Sequence, residues 1–528
     1  MKKIFITNFI LIAFFIYSNF SFSQAPLLVN QKKIGADKSD TPFCIKKALD
    51  DGYLIGGWSY SNNTGDKSGS NMGNSDFWLI KVNNNLEIVW EKSFGGNGID
   101  ALTEILIEPN GNIFVLGHSS SANGDKSYSM GRYDYWVIKL DSDGFIIWER
   151  SYGGSNDDIL TSAVFTPSGD IILLGYTFSG ISGHIGDASR GLYTDLWCLK
   201  IDPFLGNIFW SKRLGGNNFE ESHRIISDGN YLYLTATTYS GLSGELHQSN
   251  RGVGFSSDFW LIKMNFDGQI IWENRYGGTN NDFWAISDID NNGNIILAGT
   301  SDSNISFEKS QNSINESQDF WVLKIDPSGE ILWDKTIGGQ ATDRLFWIKT
   351  NSNGEIFLGG NSNSDKGSFK SQNSRNSLST LNLNYDYWLV KLNSSGNFLW
   401  DRTYGGDYND EFRNMELDGN EFLTIIGFSN SNISGDKTST TNLPDSEDGN
   451  DIWILRLELN NCNNIYNVIS NDINISNNIF KTSLNLNSNA KINTTENVYF
   501  SSERSISLNP GFETKKDYFF EAKIEGCN

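Results

Sequence analysis

The chain has 528 residues, with 41 Lys plus Arg against 63 Asp plus Glu, and a net charge of −22. So acidic a surface repels phosphate backbones and excludes nucleic acid and anionic membranes as expected partners. Its 34 Phe, 20 Tyr and 16 Trp exclude a disordered acidic chain, and eight prolines with 52 glycines fit many short strands joined by turns.

Met1-Lys2-Lys3, an apolar run from Ile4 to Tyr17 and then Ser21-Phe22-Ser23 have the three regions of a secretory signal peptide. Residues 1–23 are expected to be removed. The run is short for a membrane span, and polar residues follow at once. The expected destination is outside the cell or on its surface, with the periplasm as the alternative and no transmembrane segment after cleavage. A monomer is expected.

Beyond the leader an acid, a tryptophan two residues on, aliphatics and a base recur. They stand at Asp76/Trp78/Lys81, Asp134/Trp136/Lys139, Asp195/Trp197/Lys200, Asp258/Trp260/Lys263, Asp319/Trp321/Lys324, Asp386/Trp388/Lys391 and Asp451/Trp453/Arg456. The tryptophans lie 58, 61, 63, 61, 67 and 65 residues apart, which defines an internal repeat. Within one period, Ala101–Ile107, Ile113–Gly117, Asp134–Leu140 and Phe145–Glu149 read as strands A to D. Gly/Asn/Asp turns separate A from B and C from D, and no helical periodicity intervenes. Strand C is apolar on both faces, as a sheet packed on both sides requires.

Strand C occurs seven times, but the strand D tryptophan occurs six times (Trp90, Trp148, Trp210, Trp272, Trp333 and Trp400). Leu27 to Gly35 aligns with Glu87 to Gly95 and supplies the missing strand. The expectation is an all-β chain. Residues 24–460 form a seven-bladed β-propeller of four-stranded blades, closed by the N-terminal strand. The period resembles the bacterial secreted β-propeller repeat family (SBBP-like), with its Gly-Gly, spaced Asp, D-x-x-G-N turn and D-x-W/F-x-x-K. From 461 the repeat stops. Val498 to Phe512, with Pro510-Gly511-Phe512, and the closing Phe520-Glu521-Ala522-Lys523-Ile524 are similar to the coathanger-stack β domain of secreted bacterial proteins. Residues 461–528 are therefore expected to form a small β domain, closed in an oxidising compartment by a Cys462–Cys527 disulfide. Cys44 and Cys198 fall in apolar strands and read as buried thiols.

Asp40, Asp100, Asp158, Glu220, Asp282, Asp343 and Asp410 each stand five residues after the first glycine of a D-to-A junction. A carboxylate ring at the channel mouth suits a hard cation such as Ca²⁺. A sevenfold repeat without exception suits instead a structural role, capping backbone N–H groups of the junction, and that role is expected. No cofactor is expected otherwise. His118, His184, His223 and His247 form no zinc pattern, and no nucleophile motif is present.

The B-to-C loops vary in length and break the symmetry. Tyr60, Tyr128, Tyr133, Tyr239 and Tyr385 stand in or beside them, where they could stack on sugars. The expected function is an exported, non-enzymatic binding or scaffolding protein whose loop face takes a glycan or a protein. The alternative is an extracellular polysaccharide-degrading enzyme using loop carboxylates such as Asp187, Glu245 and Glu308.

Overall fold

The computed structural model describes residues 25–252, 254–375, 384–441 and 449–459, and the backbone of eight short strands after residue 460. Two compact units divide the chain: Ala25–Asn460, and a second that includes Asn461–Asn528.

The first unit is the expected propeller. In blade 1, Asp40–Lys47, Tyr53–Ser59, Asp76–Val82 and Ile88–Phe94 pair antiparallel in the order A-B-C-D. Five further blades repeat this order with strands consecutive in the chain. Blade 7 takes Asp410–Asp418, Phe422–Ser429 and Asp451–Glu458 from the C-terminal end of the repeat and Leu27–Ile34 from the N-terminal end. Leu27 pairs with Glu458 and Ile34 with Ile452, so the two ends of the repeat region close the ring. The A strands of successive blades contact one another all the way round, blade 7 to blade 1 included, which puts them around the axis. The D strands form the rim.

The strand C tryptophans wedge the blades together. Trp136 packs against Phe77 of the preceding blade with ring centroids 4.8 Å apart. Tyr135–Trp197, Phe259–Trp321, Phe320–Trp388 and Tyr387–Trp453 repeat the contact at 4.6 to 5.2 Å. Burying each indole stabilises the ring by about 2–3 kcal/mol. Its Nε1–H donates to the facing D strand, to Glu91, Glu149, Ser211, Glu273, Asp334, Asp401 or, at the closure, Gln31.

Each A strand begins at the junction acid itself, one residue before the run Ala101–Ile107 in the period described above. Strand B keeps a small residue opposite strand A: glycine in six blades and Ala236 in blade 4. A Cβ on Gly57 would lie 2.0 Å from the Thr41 carbonyl oxygen and one on Gly117 2.0 Å from that of Ala101, so strand A of the same blade imposes it. Cys44 and Cys198 are buried free thiols.

In the second unit short strands pair in parallel. Ile479–Thr482 lies beside Val498–Ser502, which lies beside Phe520–Ile524, and Asn485–Ser488 lies beside Ser505–Leu508. Cys462 and Cys527 lie outside the described residues.

Candidate functional site

The junction acids are fully buried and already engaged. One carboxylate oxygen of each accepts the N–H four residues earlier. The distances are 2.7 Å at Ala36–Asp40, 2.9 Å at Gly96–Asp100, 2.6 Å at Gly154–Asp158 and 2.9 Å at Gly216–Glu220. They are 2.7 Å at Gly278–Asp282, 2.6 Å at Gly339–Asp343 and 2.7 Å at Gly406–Asp410. A loop serine hydroxyl donates to the same oxygen in six blades, as Ser121 does to Asp100 at 2.8 Å. The junction acids thus hold the chain where it crosses between blades. Among the described residues no group of three or more His, Cys, Asp or Glu is arranged to hold a metal ion.

The strand C acids are buried beside them. Asp76 accepts the Met72 N–H at 2.9 Å, and its other oxygen lies 2.1 Å from where a Cβ on Gly95 would be. The same point is 2.9 Å from the Asp100 carboxylate, so two carboxyl groups meet across each blade boundary. Burial pushes Asp40, Asp76, Asp158, Asp258 and Asp410 up to about 6, and Glu220, Asp282, Asp319 and Asp386 up to about 7.

One buried cation per blade answers each set. In five blades it is a loop lysine: Lys67, Lys126, Lys309, Lys370 or Lys437. Lys126 Nζ lies 3.0 Å from Asp134 and donates to the Ser119 carbonyl oxygen at 2.8 Å. In blades 3 and 4 that loop position is the buried Ile185 or Leu246, and the cation comes from strand D instead. Arg213 Nε lies 3.2 Å from Asp195, and Arg275 Nη1 3.0 Å from Asp258. Where the lysine is present, strand D has Ser93, Ser151, Thr336, Thr403 or, in blade 7, Lys33.

The loop acids are also committed, each to a cation or a backbone donor. Glu245 pairs with Arg190 at 2.8 Å and accepts the Gly215 N–H at 2.9 Å. Glu308 pairs with Arg251 at 2.7 Å and accepts the Gly277 N–H at 3.3 Å. Asp187 accepts the Arg213 N–H at 3.3 Å.

Symmetry breaks instead at the axis. Every A strand carries a β-bulge just after its start, which leaves the residue three positions after the junction acid unpaired on the innermost strand. From blade 1 to blade 7 the half-buried bulge residue is Phe43, Thr103, Thr161, His223, Trp284, Phe346 and Arg413, Trp284 standing two positions after its acid and the others three. Half of the ring is aromatic and cationic. Trp284 meets Phe346 at 5.3 Å, Arg413 lies 5.0 Å from the Phe346 ring and 5.9 Å from Phe43, and Phe43 meets Trp58 at 4.4 Å. The other half is small and polar: Thr161 and Ser222 hydroxyls are 2.9 Å apart, and His223 Nε2 lies 2.9 Å from the Thr237 hydroxyl. Burial pulls His118 and His223 down to about 4, so both are neutral at pH 7. In blade 5 the bulge displaces two residues, and Trp284 takes φ 55°, a conformation aromatic residues avoid. Below this layer side chains of different blades meet. Arg224 of blade 4 stacks on Trp347 of blade 6 at 4.1 Å, and Lys46 pairs with Glu104 at 3.1 Å.

The five tyrosines spread over blades 1, 2, 4 and 6, and no ring contact joins any two of them. Tyr60 is exposed beside the mouth. Tyr133 stacks edge-on to His118 at 5.8 Å, Tyr239 meets Phe219 at 6.3 Å, and Tyr385 faces Arg344 at 5.4 Å. Tyr128 lies farther out, donating to the strand D carbonyl of Ser151 at 3.0 Å. The bulge ring and Arg344 escaped the sequence reading. Their signal is the stretch one to three residues after each junction acid, which changes chemistry from blade to blade while the acid itself repeats.

Taken together, these features define a seven-bladed propeller with an asymmetric axial mouth. No family model matches the chain, and no curated protein matches it. Solved structures of similar architecture include the WD40 domain of Neurospora crassa Pan2, with 12% identity, 82% of this chain and 96% of that one covered, and a TM-score of 0.40. Drosophila Plexin A in complex with Semaphorin 1b gives 9% identity, 83% and 89% coverage, and a TM-score of 0.40. Quinohemoprotein alcohol dehydrogenase from Comamonas testosteroni gives 9%, 81% and 76%, and 0.37.

Proposed function

We propose that the chain is an exported, non-enzymatic binding or scaffolding protein that engages a glycan or a protein through the face carrying the B-to-C loops and the axial mouth. One observation carries this reading: the departures from sevenfold symmetry on that face are largely aromatic, cationic, small polar and aliphatic, whereas the junction and strand C acids repeat and are engaged in the scaffold. A hydrolase with two catalytic carboxylates needs acids held for substrate. Glu245 and Glu308 are instead neutralised by Arg190 and Arg251. Export rests on the leader at residues 1–23. Membership of the SBBP-like family rests on the repeat signature, and the coathanger-like reading of 461–528 on its closing motif. The parallel pairing of its strands suits a small stacked β domain.

The test is a glycan array, a protein-binding screen and a hydrolase screen on one purified sample. Binding without turnover supports the reading. Turnover lost on Glu245→Gln or Glu308→Gln overturns it. The Cys462–Cys527 disulfide belongs to the same proposal and should appear in non-reducing peptide maps of exported protein. Its removal should cost about 4 kcal/mol.

A further inference from the structure

Arg344 stands one residue after the junction acid of blade 6, at the axial mouth. Its guanidinium lies 5.8 Å from the Trp284 ring and 5.4 Å from the Tyr385 ring, and Nε donates to Gln318 Oε1 at 3.0 Å. Two aromatic faces and one amide hold the side chain, which leaves the terminal nitrogens of its fork uncommitted. Among the described residues no carboxylate pairs with it. The other arginines on this face do have acids: Arg190, Arg251 and Arg375 pair with Glu245, Glu308 and Asp436, and Arg413 with Glu411. In a chain of net charge −22, a half-buried arginine without an acid is a vacancy for one.

The loops around the mouth carry a second feature. Ile181, Leu242, Ile305 and Ile433 occupy one repeated loop position and are 61% to 69% exposed. Two positions further on, blades 1, 2, 3, 4 and 7 have glycines at positive φ, but blade 5 has Phe307 at φ 48°, with its ring 64% exposed. Holding phenylalanine left-handed costs about 1–2 kcal/mol, and the ring finds little burial in return. Aliphatic side chains offer a sugar nothing, but they are the usual core of a protein contact, where aromatic residues and arginine dominate the energy.

We propose that this face binds a polypeptide, that the apolar loop residues Ile305 and Phe307 cover its backbone and apolar side chains, and that Arg344 receives an Asp or Glu carboxylate from it. The inference rests on the binding reading above and narrows its ligand. The probe is a random-peptide phage library panned on the full chain, with enriched peptides resynthesised with each acid replaced by its amide. Enriched peptides should share an acid flanked by apolar residues. Arg344→Gln should weaken binding at least about tenfold, amide replacement should weaken it equally, and the two changes together should add nothing further. Phe307→Gly fits the backbone better than the native residue, so it should weaken binding while the melting temperature holds or rises. Enrichment of peptides without an acid, an unchanged affinity in Arg344→Gln, or no enrichment at all overturns the proposal. So does binding of oligogalacturonate that Arg344→Gln abolishes, which would leave the binding reading intact and assign the site to acidic glycans. Turnover in the hydrolase screen would sink the underlying reading instead.

Discussion

Gly277 shows how tightly a blade boundary is built. A Cβ there would lie 2.0 Å from the Asp258 carboxylate, and six other junction glycines are confined in the same way. Gly277→Ala should therefore cost about 2–3 kcal/mol in a denaturant titration, through displacement of a buried acid. The buried cations make a sharper test. Arg213→Ser removes the partner of Asp195 and should cost about 3 kcal/mol. Adding Ile185→Lys recreates the arrangement of blade 2 and should recover most of that loss. Double-mutant stability no better than the single would show that the two positions are not exchangeable. The same carboxyls set the pH dependence. Those pushed up to about 6 or 7 ionise more readily in the unfolded chain, where the ordinary value is 3.8 for Asp and 4.5 for Glu. Their stabilising contribution is complete below those ordinary values and is lost as pH rises through 6 to 7. Lys309 and Lys437, pulled down to about 8 by burial, act only at higher pH. The melting temperature should rise on going from pH 8 to pH 5. Below about 4, Asp50 and Asp290, held low by Lys81 and Asn294 among others, should reverse the trend. A flat profile between pH 8 and 5 would contradict this account.

At the scale of the strand, the closing segment Leu27–Ile34 supplies main-chain pairing along Asp451–Glu458, the indole acceptor Gln31 and the Lys33–Asp451 ion pair at 3.5 Å. Deleting residues 27–35 uncovers that edge and should lower the melting midpoint by at least about 5 °C. A truncated chain melting with the full one would refute closure. This strand was legible in the sequence because Leu27 to Gly35 copies the pattern of Glu87 to Gly95. The C strands were legible for the same reason, each tryptophan being repeated between an acid and a base. The bulges were not. A bulge inserts one unpaired residue into a strand whose flanks keep their alternation, so Thr103 or Trp284 reads as an ordinary strand position. The tyrosines drew attention because loop aromatics stand out in a polar stretch, but only register places Phe43, Phe346 and Arg413 together.

The whole molecule divides its chemistry by symmetry. What repeats in every blade is scaffold: the wedge tryptophans, the paired carboxyls and the cation between them. What differs from blade to blade gathers on one face, at the mouth and in the apolar loops. The ring itself has a consequence in time. Gln31 bonds to Trp453 across 422 residues of chain, so the closing strand is synthesised long before its partner. Linking ends so far apart costs about 5 kcal/mol of chain entropy before the final sheet rewards it. Six blades can form locally and early, while the seventh waits for both termini of the repeat. Folding should therefore pass through an open horseshoe with one bare strand edge at each end. By the reverse of that path, the same seam is the first place for the finished ring to open, and stabilising it should slow unfolding more than it speeds folding.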